Sequence, residues 1–276
     1  MGGKAARALH RAGLATFVSI AGGSAAVAAP PTLNLAPSTK WQIDYGEWEC
    51  TLRRGFTDEK GNAFVFSLPR KPLTEMAYLR LTTKALPKRR DDGDAKVTID
   101  GVPQPARSTY SVFDDDGGIR VRQFTLPRAG EEVSATREQL IFTTKREGNI
   151  ALKIDGLAAA TKALSSCMDD LNAALGTGPA ALSAMATEPV GDWSDVVNWP
   201  DYSSSFKFVT LYWVGADGRV DECRLLKPSA DKGFNDRFCQ DLRAKAKFKP
   251  AKDRAGKPIR VPQFHDVILR RQIVRG

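Results

Sequence analysis

Apolar and polar positions alternate over much of the chain. Trp48, Cys50 and Leu52 fall on one face of an extended segment, and Glu49, Thr51 and Arg53 on the other. Phe64, Phe66 and Leu68 repeat the alternation, as do Ala77, Leu79 and Leu81. Further short strands are predicted at 97–100, 110–113, 119–126, 140–144 and 150–154. Turns are predicted at 92–94, 114–118 and 146–149, where Asp, Gly and Asn cluster. Short strands at this spacing predict an antiparallel sandwich or curled sheet. The stretch from Pro30 to Pro37 reads as a proline-containing leader.

The period then changes. Leu157, Ala160, Leu164, Cys167 or Met168, Leu171 and Leu175 form one helical stripe, with Asp155 placed to cap it and Gly176 to end it. Such a stripe packs on a sheet, so this helix is expected to close an N-terminal β-rich domain over 39–175. Residues 176–204 hold Gly178, Pro179, Pro189, Gly191 and Pro200 with little periodicity and read as a linker, ordered in part by Trp193 and Trp199.

The C-terminal stretch, 205–276, reads strand, turn, strand, helix, strand. Phe206 to Val214 is rich in aromatic and β-branched residues, and Ala216-Asp217-Gly218 supplies a tight hairpin into Arg219–Leu226. Asn235 is placed to cap a helix stacking Phe238, Leu242 and Ala246, which Phe248 and Pro250 end. Gly256-Lys257-Pro258 turns the chain into a last strand, Gln263 to Arg270. Alternation puts Gln263, His265, Val267 and Leu269 on one face of it, and Phe264, Asp266, Ile268 and Arg270 on the other.

This ordered series resembles the C-terminal domain of the TonB energy-transducer family. The resemblance is carried by Gly218-Arg219-Val220-Asp221, Phe234 before the helix, Phe248-Lys249-Pro250-Ala251 and Gly256-Lys257-Pro258, and it covers roughly the last quarter of the chain. Cys223 and Cys239, with the front half from Trp48-Glu49-Cys50 onward, look like an alphaproteobacterial TonB-like subgroup. The resemblance implies an α+β protein: an antiparallel β-rich N-terminal domain closed by a helix, then a TonB-C-like domain of three antiparallel strands packed by a helix. It also implies an edge strand that accepts a peptide or outer-membrane receptor segment by strand addition. That role falls on Gln263, Phe264, His265, Val267, Ile268 and Leu269. The long Pro-rich spacer of TonB is absent, and Pro200 to Gly218 is about one helical turn shorter than the TonB counterpart.

Charge and cysteines add a compartment. The chain carries 41 Lys/Arg against 32 Asp/Glu, net +9. Residues 1–28 contribute +3, and 201–276, with 17 Lys/Arg and 9 Asp/Glu, contribute +8. The positive field therefore belongs to the C-terminal part, where it suits an acidic protein, anionic lipid or peptidoglycan carboxylates, and nucleic acid least. Lys4, Arg7 and Arg11, the apolar run from Gly13 and Ala26-Val27-Ala28 read as a cleaved signal peptide over 1–28. The alternative is an inner-membrane anchor, which the segment is short for. Four Cys in an exported chain predict disulfides, with three pairings possible. One within each domain is the simplest: Cys50–Cys167 and Cys223–Cys239.

Candidate chemistry is sparse. No Cys-x-x-Cys is present, and His265 is the one His left after leader removal, so neither a metal site nor a cofactor is expected. His265 and Asp266 are strand neighbours that point to opposite faces, which argues against a nucleophile–base pair. Phe206, Phe208, Tyr212 and Trp213 read as core and not as a base-stacking platform. The expectation is a periplasmic, non-enzymatic protein-binding module. Two alternatives stand beside it: a membrane-anchored TonB-like transducer, and an envelope enzyme with its site in the front domain.

Overall fold

A computed structural model describes residues 32–74, 76–84, 91–103, 108–114, 119–127, 138–145, 148–178, 185–200 and 206–269. The expected leader at 1–28 and Arg270 lie outside the described residues. In chain order come β1 (Thr32–Pro37), β2 (Gln42–Tyr45), β3 (Cys50–Thr57), β4 (Ala63–Arg70), β5 (Met76–Thr83), β6 (Asp91–Ile99), β7 (Val102–Pro103), β8 (Ser108–Asp114), β9 (Arg120–Pro127), β10 (Gln139–Thr144) and β11 (Gly148–Lys153). Helix α1 (Leu157–Leu175) follows, then β12 (Met185–Thr187), β13 (Phe206–Val214), β14 (Val220–Lys227), helix α2 (Lys232–Lys245), β15 (Ala251–Asp253), β16 (Pro258–Ile259) and β17 (Val261–Leu269).

Strands β1 to β11 make one 11-stranded sheet ordered β1-β11-β10-β6-β8-β9-β5-β4-β3-β2, with β7 paired to β6. Inward positions are the apolar ones of the alternation. Leu52 and Phe56, Phe64 and Phe66, Leu79 and Leu81, Leu140 and Phe142, and Ile150 and Leu152 are all buried. Phe124 and Phe142 stack at 3.9 Å in the middle of this wall. The sheet curls into a half-barrel whose two ends β1 bridges. Thr32–Leu35 pair in parallel with Asn149–Leu152 of β11, and Ala36 and Pro37 pair antiparallel with Thr57 and Phe56 of β3. The segment read as a leader is thus a seam strand, because its Thr-Leu-Asn-Leu core alternates between flanking prolines. The turn expected at 92–94 is instead part of β6, where Asp92, Gly93 and Asp94 pair with Ser111, Tyr110 and Thr109 of β8.

Where β2 replaces β1 along β3, α1 packs against β2 and β3, burying Leu157, Leu164, Cys167 and Leu171. The Cys50–Cys167 disulfide fixes it there. Its N-cap is Gly156 at φ 74°, without a side-chain cap. Asp155, the expected cap, instead meets Arg54, whose Nη1 donates to the Asp155 carbonyl at 2.8 Å.

A second sheet runs β14-β13-β17, and a small third one β12-β15-β16. Helix α2 buries Phe234, Phe238 and Leu242 against the second sheet, and Cys223–Cys239 ties β14 to it. Its N-cap is Asp231, which accepts from Phe234 N at 2.7 Å. Asn235 is inside the helix and turns back to Ser229, whose N and Oγ both donate to its Oδ1. Residues 185–200, read as linker, supply β12 and two core aromatics, Trp193 and Trp199, packed against the second core.

The expected α+β class is corrected. The chain is mostly β, with 52% of residues in strands, a large curled mixed sheet, and two α-helices among the described residues. A TonB-like α+β fold is set aside with it. The physical reason is that each helix covers a patch of sheet or a seam, and the sheet itself encloses most of the core.

Candidate functional site

β17 lies at one end of its sheet. It pairs with β13 from Val261↔Val214 to Leu269↔Phe206 without a register break, and among the described residues no strand pairs on its other side. All six candidate residues fall on this strand. Directly opposed residues share a face. Gln263, His265 and Val267 therefore go with Tyr212, Thr210 and Phe208, toward α2, while Phe264, Asp266 and Ile268 go with Leu211, Val209 and Lys207, toward the large sheet. Leu269 ends the strand opposite Phe206.

Both faces are partly covered by the chain itself. On the α2 side Val267 packs into the second core. The Trp193 ring stands edge-on to His265 at 5.4 Å and also contacts Phe208 and Phe238. His265 Nε2 lies 3.0 Å from the Tyr212 hydroxyl, and burial pushes the imidazole pKa down and the Tyr212 phenol pKa up. On the other side Phe264 packs against the large-sheet core, which Leu211 and Trp213 of β13 join. Ile268, two positions past Asp266, is 40% exposed.

Asp266 meets a residue that the sequence did not single out. Lys71, in the β4–β5 turn, bonds its carboxylate and lies 4.0 Å from Glu49 Oε2. The ammonium also stands over the Trp48 and Tyr78 rings at 5.4 and 5.3 Å. Burial raises the Glu49 carboxyl pKa, against the pull of Lys71. A lysine before a proline reads locally as a solvated turn, and its burial comes from tertiary packing alone. Trp193 and Trp199 were visible as the two aromatics of an aperiodic stretch.

The aromatic run of β13 is core, as read: Phe206, Phe208 and Tyr212 fill the second core. Trp213 faces the other way, with the guanidinium groups of Arg224 and Arg260 over its ring at 5.1 and 5.3 Å. Arg260 in turn binds Asp221 through Nε and Nη2.

A groove of about 580 Å³ opens at the seam where β1 passes from β11 to β3, lined by Asn34, Ala36, Asp58, Glu59, Glu138 and Lys153 among others. Among the described residues no His, Cys or Ser lines it. Asp58 is engaged by Lys60 N, Asn62 N and Asn62 Nδ2, and the Asn62 side-chain bond holds its carboxyl below the ordinary range. Among the described residues no group of three or more His, Cys, Asp or Glu is placed to hold a metal. None of their helices is long and apolar enough to cross a membrane. The two disulfides are compatible with an exported protein. No family model, curated protein or solved structure matches the chain.

Proposed function

We propose that the chain is a periplasmic protein-binding module that captures an extended peptide or receptor segment by strand addition on β17. The observation that carries this reading is an edge strand paired on one side, with Phe264 and Val267 already packed on its two faces. What such a strand offers a partner is its outward row of N–H and C=O groups. Two lines of sequence support it: the motif series of the last quarter, which resembles TonB C-terminal domains, and the leader pattern with four cysteines. A partner bound through main-chain ladder bonds tolerates side-chain changes and is lost when a donor is removed.

The test is a proline scan of residues 263–269 against a partner isolated from envelope extract, with folding checked by circular dichroism. Proline at positions whose N–H points outward is expected to abolish capture in folded protein, while Ile268→Ala changes it little. If all folded proline variants bind like wild type, strand addition at this edge is ruled out, and the basic C-terminal surface becomes the candidate. Full-length protein sedimenting with the inner membrane would point to an anchored transducer.

A further inference from the structure

We propose that Lys71 is a latch through which the large sheet restrains β17 and sets how readily that edge opens. Its functional meaning rests on reading β17 as an acceptor edge; the latch itself does not. Three parts of the large-sheet unit converge on β17 at this point. Trp48 and Glu49 come from just before β3, Lys71 from the β4–β5 turn and Tyr78 from β5, and all surround the bond to Asp266. The Lys71 side chain is 6% exposed. A lysine is almost never buried to this degree without a partner, so the pair holds together as a unit.

The rest of the contact makes the bond consequential. Neither disulfide joins the two sheets: Cys50–Cys167 ties β3 to α1, and Cys223–Cys239 ties β14 to α2. Along β17 the large-sheet side is held at Phe264 by packing and at Asp266 by the latch, and Ile268 beyond is exposed. Among the described residues the bond to Lys71 is the most C-terminal tie seen between β17 and the large sheet. Trp48 also carries Lys227, the last residue of β14, over its ring at 5.7 Å, so the same indole takes the Lys71 ammonium and a cation from the second sheet. With the latch closed, the strand is pinned beside Trp48 and Tyr78. With it open, the C-terminal half of β17 is free to leave that wall, and its ladder to β13 frays from the Leu269–Phe206 end.

Amide hydrogen exchange on the full chain tests this without a partner. Lys71→Met keeps the apolar stem and removes the charge; Asp266→Asn removes the other half of the same bond. Each is expected to speed exchange of residues 264–269 by roughly tenfold, with α2 and β3–β4 within about twofold of wild type, as a local opening requires. The double variant is expected to exchange no faster than the faster single one, since both remove one bond. Unchanged β17 exchange in both single variants, or equal acceleration in every segment, overturns the latch. Should Lys71→Met fail to fold, Asp266→Asn decides alone. A failed latch leaves the proline scan standing, and a failed proline scan leaves the latch as a tie between the two sheets.

Discussion

The His265 imidazole lies parallel to the Tyr212 ring, 7° apart in plane, with Nε2 3.0 Å from the phenol oxygen. Trp193 closes the remaining side. A proton added to this ring is poorly solvated, which is why burial depresses its pKa. In the unfolded chain a histidine titrates near about 6.5. The unfolded state therefore takes the proton first as pH falls. The stability owed to a neutral His265 is present above that value and is lost as pH falls through the lower folded one. Urea midpoints between roughly pH 7.5 and pH 5 should drop further for wild type than for His265→Gln. Equal drops would show that the ring titrates alike in both states.

The disulfides close loops of unequal length, with separations of 117 and 16 residues. In the chain-entropy view the longer is worth about 4.7 kcal/mol and the shorter about 3 kcal/mol. Replacing Cys50 and Cys167 together by Ala should cost more stability than replacing Cys223 and Cys239. Urea unfolding under non-reducing conditions measures both, and the reverse order would refute the loop-length account.

At the β13–β14 hairpin Gly218 has φ 81°, and a Cβ there would stand 2.0 Å from the Phe248 carbonyl oxygen. Phe248 N also donates to the Gly218 carbonyl at 2.8 Å, so the two backbones are locked together. Gly218→Ala should cost well over the ~1–2 kcal/mol of a left-handed alanine. Gly256, at φ 80° with nothing within 4 Å of its would-be Cβ, is the control and should cost only that amount. Similar melting shifts for the two variants would contradict the close-approach argument.

Capping of α2 separates two residues that sequence pattern alone confuses. Asp231→Ala removes the acceptor of Phe234 N and should cost about 1 kcal/mol of stability. Asn235→Ala leaves the cap in place and should loosen the Ser229 turn instead. Thermal unfolding measures the first change, and local amide exchange at 229–232 the second.

Local pattern carried much of this protein. The alternation at Phe64, Phe66 and Leu68, the stripe from Leu157 to Leu175, the Asp217-Gly218 hairpin and the two cysteine pairs were all legible, because each depends on spacing within one element or on a simple count. Partnership was not. Nothing local says that β6 pairs with both β8 and β10, or that β5 pairs with β9. The same gap misled the fold class: two helices weighed as layers proved to be covers on sheets. At the candidate site the faces of β17 followed from alternation, whereas Lys71 did not, since only packing decides whether a turn lysine meets water or a buried carboxylate.

The seam made by β1 has a consequence for how the chain is made. Synthesis delivers β1 first, yet its parallel partner, β11, is the last strand of the large sheet to emerge. Contacts this distant in sequence form slowly. Until Lys153 has emerged, Thr32–Leu35 of β1 lack their parallel partner and present a bare edge to whatever is nearby. Pairing of β1 with β11 is therefore the last joint that the large sheet can make during synthesis.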